Sequence, residues 1–145
     1  MKLTFKNYEI APAIELLQPM DLGAADSRHR TKFVKLLMDV LKGIQESQQD
    51  LLDRYGKKDE DGNLIQGEDG KGYEFDPIKG KEYLEELQKL VDEEVVIEGG
   101  TYQKNIEEMP RILNEYTGTL SGKEADIYDR LLDEFEGVEV NEQSE

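Results

Sequence analysis

The sequence has no cysteine, no tryptophan and one histidine, His29, in 145 residues. Without cysteine there is no disulfide framework, no thiolate nucleophile and no thiolate-bound zinc. His29 cannot supply a histidine-based metal site alone. No apolar run approaches the ~18 residues of a membrane-spanning helix. The opening MKLTFKNYEI holds no apolar stretch of signal-peptide type, so a location inside the cell is expected. There is no G-x-S-x-G, no HExxH and no glycine-rich phosphate loop ahead of a helix. These absences lead to an expected non-enzyme with no catalytic residue, no cofactor and no metal.

What the chain does have is charge. Charged residues make up 36% and hydrophobic residues 37%, which favours thin helical packing over a deep core. The net charge is −16, and its distribution along the chain is uneven. Residues 1–56 carry eight Lys/Arg and eight Asp/Glu, whereas 57–145 carry ten and 26. An acidic surface repels phosphates, so direct nucleic-acid binding is not expected. The acidity serves as a solvated face or meets a basic partner.

Hydrophobic periodicity predicts a mainly α protein. Lys2-Leu3-Thr4-Phe5 alternates like a short strand. Asn7 is placed to cap a helix through about Gln18, with Pro12 in its first turns and Pro19 stopping it. A long helix is expected from about Ala24 to Tyr55, capped by Asp21 or Asp26. Its stripe is Phe33, Leu37, Val40, Ile44, Leu51 and Tyr55, and Gly56 follows as a C′ residue. A second helix, about Gly80 to Glu94, presents Tyr83, Leu87, Leu90 and Val91. The expected architecture is therefore an antiparallel helical hairpin with a β-hairpin tip formed by 63–66 and 72–75. The short N-terminal strand pairs with Val95-Val96-Ile97, and C-terminal helices follow. One of these runs near Met109–Tyr116. The last starts from a Ser121-Gly-Lys-Glu124 capping box, reaches about Glu136 and turns Ile127, Leu131 and Phe135 inward. Residues 1–138 read as a single helical domain, and 139–145 as a disordered acidic tail.

Three constellations invite a functional reading. Around Gly62, Asp59, Asp61, Leu64 and Glu68 fall at positions 3, 5, 8 and 12 of a calcium loop. Position 1 is then Lys57 and no helix leaves the loop, so a turn with local Asx hydrogen bonds is the better reading. The basic run Arg28-His29-Arg30, with Lys32 and Lys35, places cations in the first turns of a helix, against its dipole. Carboxylates must lie nearby, either the protein's own or those of a partner. These five residues are the candidate partner-binding residues. The acidic last helix, with Asp126, Asp129, Asp133, Glu134 and Glu136, singles out no catalytic pair and reads as a solvated face.

The stretches SRHRTKFVKLL, DLLDRYGKKDEDGN, YEF and EYLEELQKLVDEEVVIE follow an MKLTF-type start in that order. Over about residues 1–98 this pattern resembles a group of small phage and prophage proteins of Gram-positive bacteria, a domain of unknown function. The resemblance implies a context and carries over no functional residue. It implies a phage accessory acting through protein–protein contacts, structural or assembly-related, in the bacterial cytoplasm or on the virion. Its partner would be a phage-encoded protein, with a homo-oligomer left open. The alternative is an acidic DNA mimic that blocks a host DNA-binding protein.

Overall fold

A computed structural model of the chain describes residues 1–144, with side chains through residue 138. The protein is mainly α, with a small two-stranded antiparallel sheet. The chain divides into two compact units. One comprises Met1–Leu41 with the chain from Glu94 onward; the other is Lys42–Glu93. The boundary falls within the helix Ala24–Tyr55, after its last buried side chain, Leu37, and ahead of a polar stretch. From Gln45 to Asp50 every residue is exposed, so no side chain there can anchor a core.

In the first unit, β1 (Lys2–Lys6) pairs with β2 (Glu94–Glu98), with Leu3 opposite Ile97 and Phe5 opposite Val95. The alternation places Leu3, Phe5 and Ile97 in the core. Helix α1 (Asn7–Leu17) follows directly. Asn7 is already helical and Lys6 holds the cap position, its N–H donating to Glu9 Oε1 at 2.8 Å. Ile10, Ala13, Ile14, Leu16 and Leu17 are buried. Pro12 has no N–H to offer the Tyr8 carbonyl, so that oxygen lacks its helical partner. Helix α2 (Ala24–Tyr55) begins beyond Gly23, whose carbonyl accepts from Ser27 N–H. Gly23 therefore stands where Asp21 or Asp26 was expected.

After β2, a 3-10 turn (Gly100–Tyr102) leads into α4 (Gln103–Glu107), so Gly100 to Glu107 is structured although no local pattern marks it. Helix α5 (Met109–Glu115) matches the helix expected near Met109–Tyr116. Helix α6 is Lys123–Ser144, longer than the sequence indicated. Gly122, at φ +56° and accepting from Asp126 N–H, takes the cap position in place of Ser121. Side chains from 139 onward and residue 145, where the tail was expected, lie outside the described residues.

The two ends of α2 serve different cores. Phe33 and Leu37 were expected to face the second helix of a hairpin, yet both are fully buried in the first unit. The Phe33 ring meets Phe135 of α6, with centroids 5.7 Å apart and planes tilted by 58°. Ile106, Met109, Ile112, Leu113 and Leu131 complete this core.

In the second unit the end of α2 is joined through the tip to α3 (Pro77–Asp92). Only Tyr83 is a buried hydrophobic side chain there, stacked on Phe75 at 4.8 Å. Ile44, Leu51, Tyr55, Leu87 and Leu90 are half-buried. The tip pairs as expected between Gln66 and Tyr73, with Glu74 N–H donating to Ile65 O at 2.9 Å. It also recruits a third segment, through a Lys58–Leu64 bridge and a Lys57 N–H to Glu74 O bond. Gly62, Gly70 and Gly72 at positive φ break the pairing into isolated bridges.

Candidate functional site

The basic run near the start of α2 is largely committed within the first unit. Arg30 Nη1 donates to the carbonyls of Leu17, Gln18 and Met20 at 2.9, 3.1 and 2.9 Å. It thereby satisfies orphan acceptors at the end of α1. His29 Nδ1 lies 3.1 Å from the Asn105 side-chain amide. Lys32 and Lys35 place their ammonium groups 5.2 and 5.5 Å from the centre of the Tyr102 ring. Lys35 Nζ also donates to the Tyr102 hydroxyl at 3.2 Å, which raises the Lys35 pKa and lowers that of Tyr102. Arg28 alone of the five is exposed without a hydrogen bond or ion pair among the described residues. The structure thus brings Lys32 and Lys35 together on one ring and sends Arg30 and His29 elsewhere.

The acidic groups facing this helix start form a separate cluster. Arg111 of α5 binds Asp26 at 2.8 Å, Glu108 at 3.0 Å and Glu115 at 3.0 Å. The Arg111 hydrogen bond holds the Asp26 carboxyl below its ordinary pKa. Sequence reasoning asked for carboxylates near the basic run; it did not place Arg111 as the cation that takes them.

A second arginine organises another part of this unit. Arg130 of α6 donates to Glu9 Oε2 at 2.8 Å, Glu134 Oε2 at 3.1 Å and Thr4 O at 2.9 Å. Glu134 Oε1 in turn accepts from Thr4 N–H at 2.7 Å. The two side chains therefore occupy the free edge of β1 as a neighbouring strand would, closing it to further pairing. The guanidinium lies 5.0 Å from the centre of the Phe5 ring. Burial opposes the Arg130 charge, but Glu134 and Glu9 outweigh it and its pKa is raised. Glu134 read from sequence as part of a solvated face; its link to Thr4 joins residues 130 apart and has no local signal.

Beside this clamp, α1 and α6 border a groove of about 510 Å3. Its apolar lining is Tyr8, Pro12, Leu16 and Ile127. Tyr8 is 56% exposed. Glu15, Glu124, Asp126 and Lys123 also line it, and all four are exposed without an ion-pair partner among the described residues. Sequence reasoning did not single out this groove, because α1 and α6 lie over a hundred residues apart.

The calcium-like loop is a turn. Asp59 Oδ1 accepts from Asp61 N–H at 2.9 Å and Asn63 N–H at 3.0 Å, with Gly62 at φ +83°. No group of three or more His, Cys, Asp or Glu suited to hold a metal occurs among the described residues. No helix among them is long and apolar enough to cross a membrane.

These features define a mainly α protein of two units with an acidic-rimmed groove on one of them. The chain belongs to DUF1617, a protein family of unknown function, whose model matches residues 1–142. No curated protein matches the chain and no solved structure does.

Proposed function

We propose that this protein is a non-catalytic accessory of a phage or prophage, structural or assembly-related, acting through contacts with another phage-encoded protein. It would work in the host cytoplasm or as part of the virion. The observation that carries this reading is the apolar surface held in water. Tyr8 sits exposed over the groove, Ile78 on α3 is 76% exposed, and Leu84 and Val96 are also exposed. Scattered exposed residues are ordinary. A ring beside an apolar-floored groove is what a protein partner uses. The resemblance over 1–98 supplies the phage context.

The test is affinity capture of tagged full-length protein from prophage-induced cells. Capsid, tail or assembly proteins among the captured partners would support this reading. Capture of a host nuclease or repressor instead would favour the DNA-mimic alternative. Recovery of the tagged protein alone, under crosslinking, would remove the accessory role.

A further inference from the structure

We infer that the α1–α6 groove is a docking site for a basic amphipathic helical segment of a protein partner. This rests on the accessory reading above and names the place and chemistry of contact.

The groove has the dimensions of a short helix. The lining runs from Tyr8 to Leu16 on α1 and from Lys123 to Arg130 on α6. At 1.5 Å per residue that is roughly 12 Å, the length of about two helical turns. The floor offers Pro12, Leu16 and Ile127, onto which a partner's Leu or Met pair one turn apart can settle. Tyr8, 56% exposed, stands at the N-terminal end of the α1 lining as an aromatic wall.

Charge then fixes the class of segment. Arg130 and Glu9 neutralise one another at 2.8 Å. What remains along the lining is Glu15, Glu124 and Asp126 against Lys123. These three carboxylates hold no ion pair among the described residues, so a partner's Lys or Arg meets them without displacing an existing bond. An acidic segment would face repulsion from the same rim.

The probe is a labelled twelve-residue Leu/Lys amphipathic peptide, read by fluorescence anisotropy against the full-length protein. Two counterparts accompany it, one with Glu for every Lys and one with Ser for every Leu. The Leu/Lys peptide should bind; both counterparts should bind at least tenfold more weakly. Tyr8→Ala, a charge-neutral change at an exposed site, and the double change Glu15→Lys with Asp126→Lys should each weaken binding at least tenfold. A matched double reversal on α3, Glu82→Lys with Glu85→Lys, should leave it within twofold. The inference is overturned if no peptide binds, if the Glu or Ser counterpart binds equally well, or if the α3 reversal matters as much as the groove reversal. Failure here combined with capture of phage proteins undiminished by Tyr8→Ala would leave the accessory role standing and remove only this site.

Discussion

Arg130→Ala should cost the first unit about 2–3 kcal/mol. Among the described residues Arg130 is the sole cation on Glu9 and Glu134, and it also caps the Thr4 carbonyl. Glu9 is nearly buried, with 11% of its side chain exposed. Losing one member of a fully buried pair costs about 3–5 kcal/mol, because the other charge is stranded. Surface pairs contribute about 0–1 kcal/mol. Arg130 keeps 32% of its side chain exposed, so water can partly replace it and the figure falls between these limits. For a chain of this length, that lowers the melting temperature by about 5–10 °C. Urea unfolding followed by far-UV circular dichroism measures it. Arg130→Lys should recover less than half, since an ammonium cannot serve three acceptors with a planar fork. Glu134→Ala supplies a local readout, because the Thr4 amide loses its acceptor and should exchange faster with deuterium. A loss below about 0.5 kcal/mol for Arg130→Ala, with unchanged Thr4 exchange in Glu134→Ala, would refute the clamp.

Four further outcomes are expected. Asp26 has its carboxyl pKa depressed chiefly by the Arg111 hydrogen bond, so its contribution is present above the unfolded-state pKa and is lost as pH falls through the lower folded value. A carbon-13 NMR titration should show that depression in the native protein and its loss in Arg111→Gln. Gly56→Ala should destabilise the second unit by about 1–3 kcal/mol, because a Cβ there would lie 2.5 Å from Leu64 Cδ2 and 2.7 Å from Leu52 O. Gly43→Ala, with nothing within 4 Å, should instead stabilise by about 0.5–1 kcal/mol, both read by urea unfolding. Calorimetry should find no micromolar calcium binding at the tip, where Asp59 is occupied by two backbone amides and Lys57 stands at the first ligand position.

Local signals were legible in the sequence and non-local ones were not. Alternation in residues 2–5 and the β-branched run 95–97 identified both strands and their pairing. The 3.6-residue stripes located α2 and α3 within a few residues, and the Asp59 turn with its local hydrogen bonds was legible from Asp61-Gly62-Asn63. The assignment of Phe33 and Leu37 went wrong for a physical reason. A continuous heptad-like stripe says that one face is apolar, not that a single partner covers it. Here Phe135 takes one end of α2, and the exposed run from Gln45 to Asp50 separates that end from the other. Gly56 follows the last residue of α2 as the sequence indicates, its N–H donating to Leu52 O, and the constraint that holds a glycine there is steric. The basic run was visible as a patch in sequence. Its dispersal onto Tyr102, Asn105 and the α1 carbonyls depends on segments far along the chain.

The same distance effect changes the meaning of the acidity, and with it the expected salt dependence. Along the sequence the excess charge lies after residue 56. Grouped by unit, Met1–Leu41 with 94–145 holds ten Lys/Arg against 19 Asp/Glu, and Lys42–Glu93 holds eight against 15. Both units are therefore acidic, at −9 and −7, and the balanced N-terminal segment belongs to a unit that is not balanced. A homodimer through residues 1–56 would bring two such units together. Its association should strengthen as salt rises, since screening removes repulsion and leaves apolar burial intact. Binding of a basic segment to the groove should weaken over the same range. Light scattering of the protein alone and anisotropy of the Leu/Lys peptide, each at about 50 and 500 mM salt, separate the two. A peptide affinity that does not fall with salt would show that the rim carboxylates contribute nothing. A strict monomer at both salts and high protein concentration would leave a heterologous partner as the occupant of the exposed apolar surface.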